Sequence, residues 1–245
     1  MGVGGAGCRV LLAGPDPPPG RLGPCETVWV KAVRVTPIPG GVGALLALGG
    51  WMDSAAFTSP RAPRILAGEA GRLGVLGSVR RLLGGVSVYA IGPRTAEAVR
   101  ESLGVEVAGV PGEYRGLALA GLIASRGSRR VAGIRSPQAL PDLPEALAER
   151  GVAFVDVYIY STSIDLEALR AARGLGFDYL AATSPRIGEA MVEAGLQGTY
   201  IAIGPTTARA LRLHGVEPAC TAEPHTLRGV ARCLEALESG ASGPR

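Results

Sequence analysis

The sequence predicts an α/β protein built from two doubly wound parallel-sheet domains joined by a two-segment hinge. Three observations lead there. First, short apolar runs alternate with helix-like stretches, and the runs are apolar on both faces, as parallel strands covered by helices must be. Second, one phrase occurs twice, as YAIGPRTAEA at 89–98 and YIAIGPTTARA at 200–210. Each copy follows a matched phrase, AAFTSPR at 55–61 and AATSPR at 181–186, and precedes a similar turn, SLGVEV at 102–107 and LHGVEP at 213–218. One element order appearing twice means two similar halves. Third, the chain opens with two strands that the second copy lacks. Residues 1–36 joining 162–245 would make one domain, the insert 38–158 the other, with crossings near 35–39 and 158–163.

The elements follow in order. Residues 8–13 (CRVLLA) read as a strand, whereas 14–25 are too rich in Pro for an ordinary helix. Residues 28–38 alternate as a strand and stop at Pro37 and Pro39. A helical stretch from Gly40 leads to a buried strand at 54–58. Helices are expected at 60–72, 78–83, 93–103, 114–125 and 138–150, and strands at 86–91, 130–134 and 152–160. Further on come a helix at 165–174, a strand at 179–183, a helix at 185–194, a strand at 199–203 and helices at 205–214 and 226–238. The tail ESGASGPR is expected to fray.

Composition narrows the function classes. At 245 residues with 47% hydrophobic and 19% charged residues, the chain is globular rather than disordered. It has no apolar run of about 18 residues, so no membrane span is expected. The opening MGVGGAGCRVLLAG lacks a basic segment and a long apolar core, so no signal peptide is expected. Met1-Gly2 lacks the small hydroxyl residue that acylation wants near position six. The net charge of +4 is carried by Arg, with Lys31 the single lysine. Arg80-Arg81 and Arg129-Arg130 are the densest basic pairs, and only 4% of residues are aromatic, which argues against nucleic acid. The guanidinium fork suits carboxylates, although a genomic bias toward Arg, Ala and Gly explains most of the arginines. Cys8, Cys25, Cys220 and Cys233 have no CxxC spacing, and His214 and His225 have no metal spacing. Buried thiols are therefore expected, not a disulfide framework or a metal site, and a cytoplasmic compartment follows from that.

Two pairs of phrases offer chemistry. In Ile91-Gly92-Pro93-Arg94-Thr95 and Ile203-Gly204-Pro205-Thr206-Thr207 a strand ends, Gly takes the N-cap and Pro the first helical position, where its missing N–H costs nothing. The helix start offers free N–H groups and partial positive charge. Gly92 and Gly204 let a ligand approach the backbone, and Thr95 and Thr207 can point a hydroxyl at it. This is an anion cradle without the glycine pattern of a phosphate loop. A single copy reads as an ordinary turn; two copies favour a shared purpose, although duplication alone also retains them. The second pair is Thr58-Ser59-Pro60-Arg61 and Thr183-Ser184-Pro185-Arg186. Ser59 and Ser184 can N-cap, while Arg61 and Arg186 oppose the helix dipole, which favours an anionic partner. All four phrases fall at carboxyl ends of strands, where open parallel sheets bind ligands. No Ser-His-Asp or Cys-His set and no paired carboxylates are visible. A large polyanion held between two domains by backbone N–H groups and hydroxyls fits.

These residues resemble the uroporphyrinogen-III synthase family from about residue 52 to 232. The strongest part is IAIGPTTARALRLHGVEPACTAEPHT at 201–226; FTSPRA at 57–62, AIGPRTAEAVRESLGV at 90–105 and VYIYSTS at 157–163 agree in order and spacing. The resemblance implies two flavodoxin-like domains and no cofactor. It implies cyclising dehydration of hydroxymethylbilane, with inversion of ring D, to uroporphyrinogen III, the precursor of haem, sirohaem and cobalamin. The alternative is a non-catalytic tetrapyrrole-binding or regulatory module on the same scaffold. By position, substrate-binding residues fall on Thr58, Ser59, Arg61, Gly92, Thr95, Ser184, Gly204, Thr206 and Thr207, with Tyr160 as proton donor. The other reading of Tyr160 is a strand aromatic packing at the hinge, with Tyr158 on the same strand face as its companion. The implied partners are the polycarboxylate tetrapyrrole and, transiently, the enzyme that forms the bilane; a monomer without nucleic acid or membrane is expected. The departure is GPDPPPGRLGPCE, which replaces the family's first helix and puts ligand contacts from that loop in doubt.

Overall fold

The structure is a computed structural model and describes residues 7–240. The expectations about acylation, a leader and a frayed tail fall on or run into residues outside the described ones. The chain divides into two compact units: residues up to Arg34 together with those from Ser163, and Val35–Thr162.

In chain order the elements are β1 (Arg9–Ala13), β2 (Arg21–Leu22), β3 (Cys25–Val30), β4 (Val33–Pro37), α1 (Gly41–Ala47), β5 (Ser54–Phe57), α2 (Arg61–Arg72) and α3 (Leu76–Gly84). Then come β6 (Ser87–Ala90), α4 (Pro93–Leu103), α5 (Gly116–Ser125), β7 (Arg130–Arg135), α6 (Asp142–Ala148) and β8 (Ala153–Tyr158). The rest are β9 (Tyr160–Ile164), α7 (Leu166–Ala171) with a 3-10 turn at Ala172–Gly174, β10 (Tyr179–Ala182), α8 (Pro185–Glu193), β11 (Thr199–Ala202), α9 (Pro205–Leu213), β12 (Cys220–Thr221) and α10 (Leu227–Glu238). The strand expected at 28–38 is two strands, because the Ala32 N–H turns back to Val30 O at 2.7 Å. The strand expected at 152–160 also breaks, at Ile159. The helix expected at 138–150 shortens to α6, since Pro141 at its N-cap disfavours helical backbone in the residue before it.

The first unit's sheet runs β12-β11-β10-β1-β3-β2, parallel except for β2, which is antiparallel to β3. The second unit's sheet runs β6-β5-β7-β8, all parallel, with an isolated parallel bridge from Tyr89 to Gly109 beyond β6. The repeated phrases occupy the same places in both. Thr-Ser-Pro-Arg follows the central strand, β5 or β10, and Ile-Gly-Pro follows its neighbour, β6 or β11. The Gly109 bridge then matches β12, β7 matches β1, and β8 matches β3. The two units share one strand order and differ in which strand comes first in the chain. The exits match as well: β3 leads to β4 and β8 to β9, and β4 pairs with β9 in a two-stranded sheet.

Each sheet is apolar on both faces, so its strands alternate between two cores. In the first unit Leu11 and Leu180 face the core under α7, α8 and α9, whereas Val10 and Leu12 face the one under α10. In the second, Phe57 and Ile134 face α1 to α4, and Ala56, Tyr89 and Val131 face α5 and α6. Where the second unit has α6, the first has the short β2–β3 hairpin. Its turn residue Gly23 takes φ +57°, and a Cβ there would meet Ala231 O of α10 at 2.9 Å.

The cysteines overturn the expectation of unpaired thiols. Cys8 pairs with Cys25 and Cys220 with Cys233, leaving no free thiol among the described residues. The reason is spatial: parallel register sets Arg9 against Glu26, so Cys8 and Cys25 stand side by side, Cα atoms 4.6 Å apart. Cys233 of α10 lies over Cys220 of β12. Neither pair has a sequence motif. The expectation of a cytoplasmic compartment rested on unpaired thiols and loses that ground. Both disulfides lie in the core under α10, the face short of a helix. Loops of 17 and 13 residues are closed, each worth about 3 kcal/mol by the chain-entropy model. Reduction, or Cys8→Ser with Cys220→Ser, should lower the melting temperature of the first unit and leave the second unit's transition in place. Calorimetry that finds no change on reduction would show the staples to be energetically idle.

Candidate functional site

In the second unit the carboxyl ends of β5, β6 and β7 open onto a cleft of about 410 Å³, lined by Thr58, Ile91, Tyr114, Arg115, Arg135 and Gln138 among others. Arg135 is 5% exposed and tightly held. Its guanidinium pairs with Asp156, donates to Leu140 O at 2.8 Å and lies 5.4 Å from the Phe154 ring centroid. Phe154 in turn crosses β7 at Gly133, where a Cβ would stand 2.1 Å from its Cζ. Gly133 thereby makes room for the ring that supports Arg135. A second cleft of about 350 Å³ lies at Gly92, Pro93, Arg94 and Thr95, and Tyr114 lines both.

The two cradles have the expected backbone. Gly92 and Gly204 are N-caps, and Pro93 and Pro205 begin α4 and α9. Both glycines are extended, at φ −166° and −177°, a conformation open to any residue. Their smallness serves a different end. A Cβ on Gly92 would meet Cγ of Tyr114 at 3.4 Å, and one on Gly204 would meet Cγ of His225 at 3.2 Å. The protein's own rings, not an open approach, cover these glycines. Sequence reasoning missed Tyr114 and His225. They follow Gly92 and Gly204 by a similar 22 and 21 residues, but a tyrosine in one copy and a histidine in the other share no residue type that would mark the position.

The hydroxyls divide by burial. Thr95 and Thr207 are 2% and 1% exposed within the first turns of their helices, whereas Thr206 is exposed and Thr58 half-buried on the cleft wall. Ser59 Oγ accepts the Arg61 N–H at 3.2 Å, and Ser184 Oγ caps α8 by accepting the Ile187 N–H at 3.3 Å. Arg61 is half-buried; Arg186 is exposed and lines a small cleft beside Glu189 and Glu193. Tyr160 is 5% exposed and packs in the core under α1 to α4, whereas Tyr158 is 39% exposed. The break at Ile159 gives the two tyrosines different surroundings, so they are not companions on one strand face. Tyr158 Oη donates to Asp156 Oδ2 at 3.1 Å, and that bond, with some burial, raises its pKa above the usual phenol value. Among the described residues no group of three or more His, Cys, Asp or Glu is placed to hold a metal ion.

The model of the family uroporphyrinogen-III synthase HemD matches residues 43–232. The chain belongs to the uroporphyrinogen-III synthase family. Its fold is that of solved members. A uroporphyrinogen-III synthetase structure from Helicobacter pylori is 20% identical with TM-score 0.64, covering 95% of this chain and 98% of that one. A mutant uroporphyrinogen III synthase from the extremely thermophilic bacterium Thermus thermophilus is 22% identical with TM-score 0.59, covering 95% and 99%. No curated protein is significantly similar in sequence.

Burial separates two neighbouring hydroxyls experimentally. A lost hydrogen bond to a charged group is worth about 1.5–3 kcal/mol, roughly tenfold or more in affinity. Thr206→Val should weaken binding of uroporphyrinogen III by that factor at unchanged melting temperature. Thr207→Val should act on stability instead. Loss of affinity in Thr207→Val alone would mean that the buried hydroxyl is the one the ligand meets.

Proposed function

We propose that this chain closes hydroxymethylbilane, a linear tetrapyrrole with eight carboxylates, to uroporphyrinogen III with loss of water and inversion of ring D. The duplication carries the reading. Equivalent strands in both units end in Thr-Ser-Pro-Arg and Ile-Gly-Pro, each feeding a helix start, in a chain of the uroporphyrinogen-III synthase family. Such ends supply backbone N–H groups, hydroxyls and guanidinium forks, the donors that a polycarboxylate needs.

The reaction asks more for placement than for side-chain chemistry. Loss of the terminal hydroxyl gives an azafulvene cation. The substituted carbon of ring D attacks it, a spiro intermediate rearranges, and the ring closes. Holding that carbon nearest the cation is a matter of proximity. Thr58, Ser59, Arg61, Ser184 and Thr206 are the proposed carboxylate contacts, with the helix starts at Gly92 and Gly204. Departure of the hydroxyl takes up a proton, and Tyr160 is the proposed donor, because a phenol hydroxyl can donate to the leaving oxygen. Tyr160 is also buried against the core, so Tyr160→Phe is the variant that separates a donor from a packing residue.

Each unit is proposed to be flavodoxin-like. The first unit's parallel strands, taken across the sheet from β3 to β12, stand in chain order 2-1-3-4-5, the order of that fold. The paired segments β4 and β9 are the proposed hinge; solution scattering that reports one unchanging shape with and without ligand would oppose it. Among the described residues no helix is long and apolar enough to cross a membrane.

Incubation with enzymatically made bilane tests the activity. Type III product supports it, and only type I product, as spontaneous closure gives, overturns it. Tyr160→Phe should fold and lose at least about tenfold in type III turnover if its hydroxyl acts as the acid. Unchanged turnover leaves Tyr160 a packing residue.

A further inference from the structure

The two rings over the cradle glycines have no part in the fold core or in the proposed carboxylate contacts. Tyr114 lies on Gly92 and is 62% exposed, the most exposed aromatic residue among those described. In a chain with so few aromatics, leaving one this open on a cleft wall forfeits burial that a smaller polar residue would not. His225 lies on Gly204, with about half of its side chain exposed. The placements match element by element. Tyr114 immediately precedes Arg115, the N-cap of α5, and His225 immediately precedes Thr226, the N-cap of α10. Each ring thus stands beside the Ile-Gly-Pro turn, in the loop that leaves the edge of its sheet, after the Gly109 bridge in one unit and after β12 in the other. The ring position is common to both units, a phenol in one and an imidazole in the other, so the shared property is the flat face.

We propose that Tyr114 and His225 are matching platforms, one in each unit, on which pyrrole rings of the ligand stack. The inference takes the identity of the rings from the proposed activity. An electron-rich ring bearing carboxylate arms fits the surroundings of Tyr114. Tyr114 lines both clefts, of about 410 and 350 Å³, so a planar group laid on its ring lies within reach of both. Arg94, Arg115 and Arg135 flank it on the two sides. Arg115 is exposed and pairs with the equally exposed Glu113, an ion pair cheap to exchange for a ligand carboxylate. The acidic residue on the same wall, Asp142, is occupied in accepting the Gly116 N–H at 2.9 Å. His225 is held in place by its Nδ1, 2.8 Å from Ala222 O, which makes Nδ1 the protonated nitrogen and leaves Nε2 outside that bond.

Equilibrium binding of uroporphyrinogen III, kept reduced, to the wild type and to Tyr114→Leu, Tyr114→Phe, His225→Leu and His225→Phe tests the platforms. Melting temperatures serve as the fold control. Stacking on an aromatic face predicts that each Leu variant binds roughly tenfold more weakly or worse, while each Phe variant stays within about threefold of the wild type. A Leu variant that binds as the wild type does overturns the platform in that unit. So does a Phe variant as weak as its Leu counterpart, which for His225 would point to the Ala222 bond instead of the ring. Absence of binding by the wild type overturns both. Turnover is read separately: wild type that binds product in a Tyr114-dependent way yet forms only type I product overturns the proposed activity and leaves the platforms standing.

Discussion

One carboxylate at the head of each central strand ties its sheet together. Asp53 accepts the N–H groups of both Arg129 and Arg130 at 3.1 to 3.3 Å, and its own N–H donates to Arg130 O. Asp178 accepts the Arg9 N–H at 2.8 Å and donates to Arg9 O. The neighbours so joined are 76 and 169 residues apart in sequence. Parallel strands have no hairpin to set their register, and a slip of one residue would turn every side chain to the wrong face. The bracket fixes Ser54 against Val131 and Val10 against Tyr179. Everything at the other end of these strands inherits that alignment, including the meeting of Thr58 and Arg135 in one cleft.

The first unit has to manage with less cover. Its residues 14–24 supply a Pro-rich loop and a two-residue strand where the second unit supplies α6. A small core under a single helix buries less apolar surface, and cross-linking is the usual compensation where cores are thin. The two disulfides tie β1 to β3 and β12 to α10, near opposite edges of the same thin layer. Their position follows from the missing helix. The second unit, covered on both faces, contains no cysteine.

At the cradles, glycine is better understood from its neighbours than from its backbone. Neither Gly92 nor Gly204 needs left-handed torsion, yet each accepts an aromatic ring against its Cα. Thr95 and Thr207 are buried in the first helical turns, while Thr206 stays exposed. The arginine at the base of the second unit's cleft is held by Asp156 and Leu140 O and lies against Phe154, whose ring finds room over Gly133, a strand glycine whose sequence context gives no hint of that role.

The repeat, the alternation of strands and helices, the proline-initiated helices and the chain's resemblance to its family were all legible from residues alone. They are local patterns or direct copies, and local patterns survive in one dimension. The two phrases carried the likeness of the two halves, whereas the strand order within each sheet came from the structure. Tertiary structure decided the rest. Cysteines 17 and 13 residues apart became partners because parallel register and helix packing brought them together. Tyr158 and Tyr160 parted company because a strand breaks at Ile159. Tyr114 and His225 reached the cradle glycines across more than twenty residues of intervening helix and strand. Register, burial and ring contact are relations between segments distant in the chain, and spacing along the sequence does not encode them.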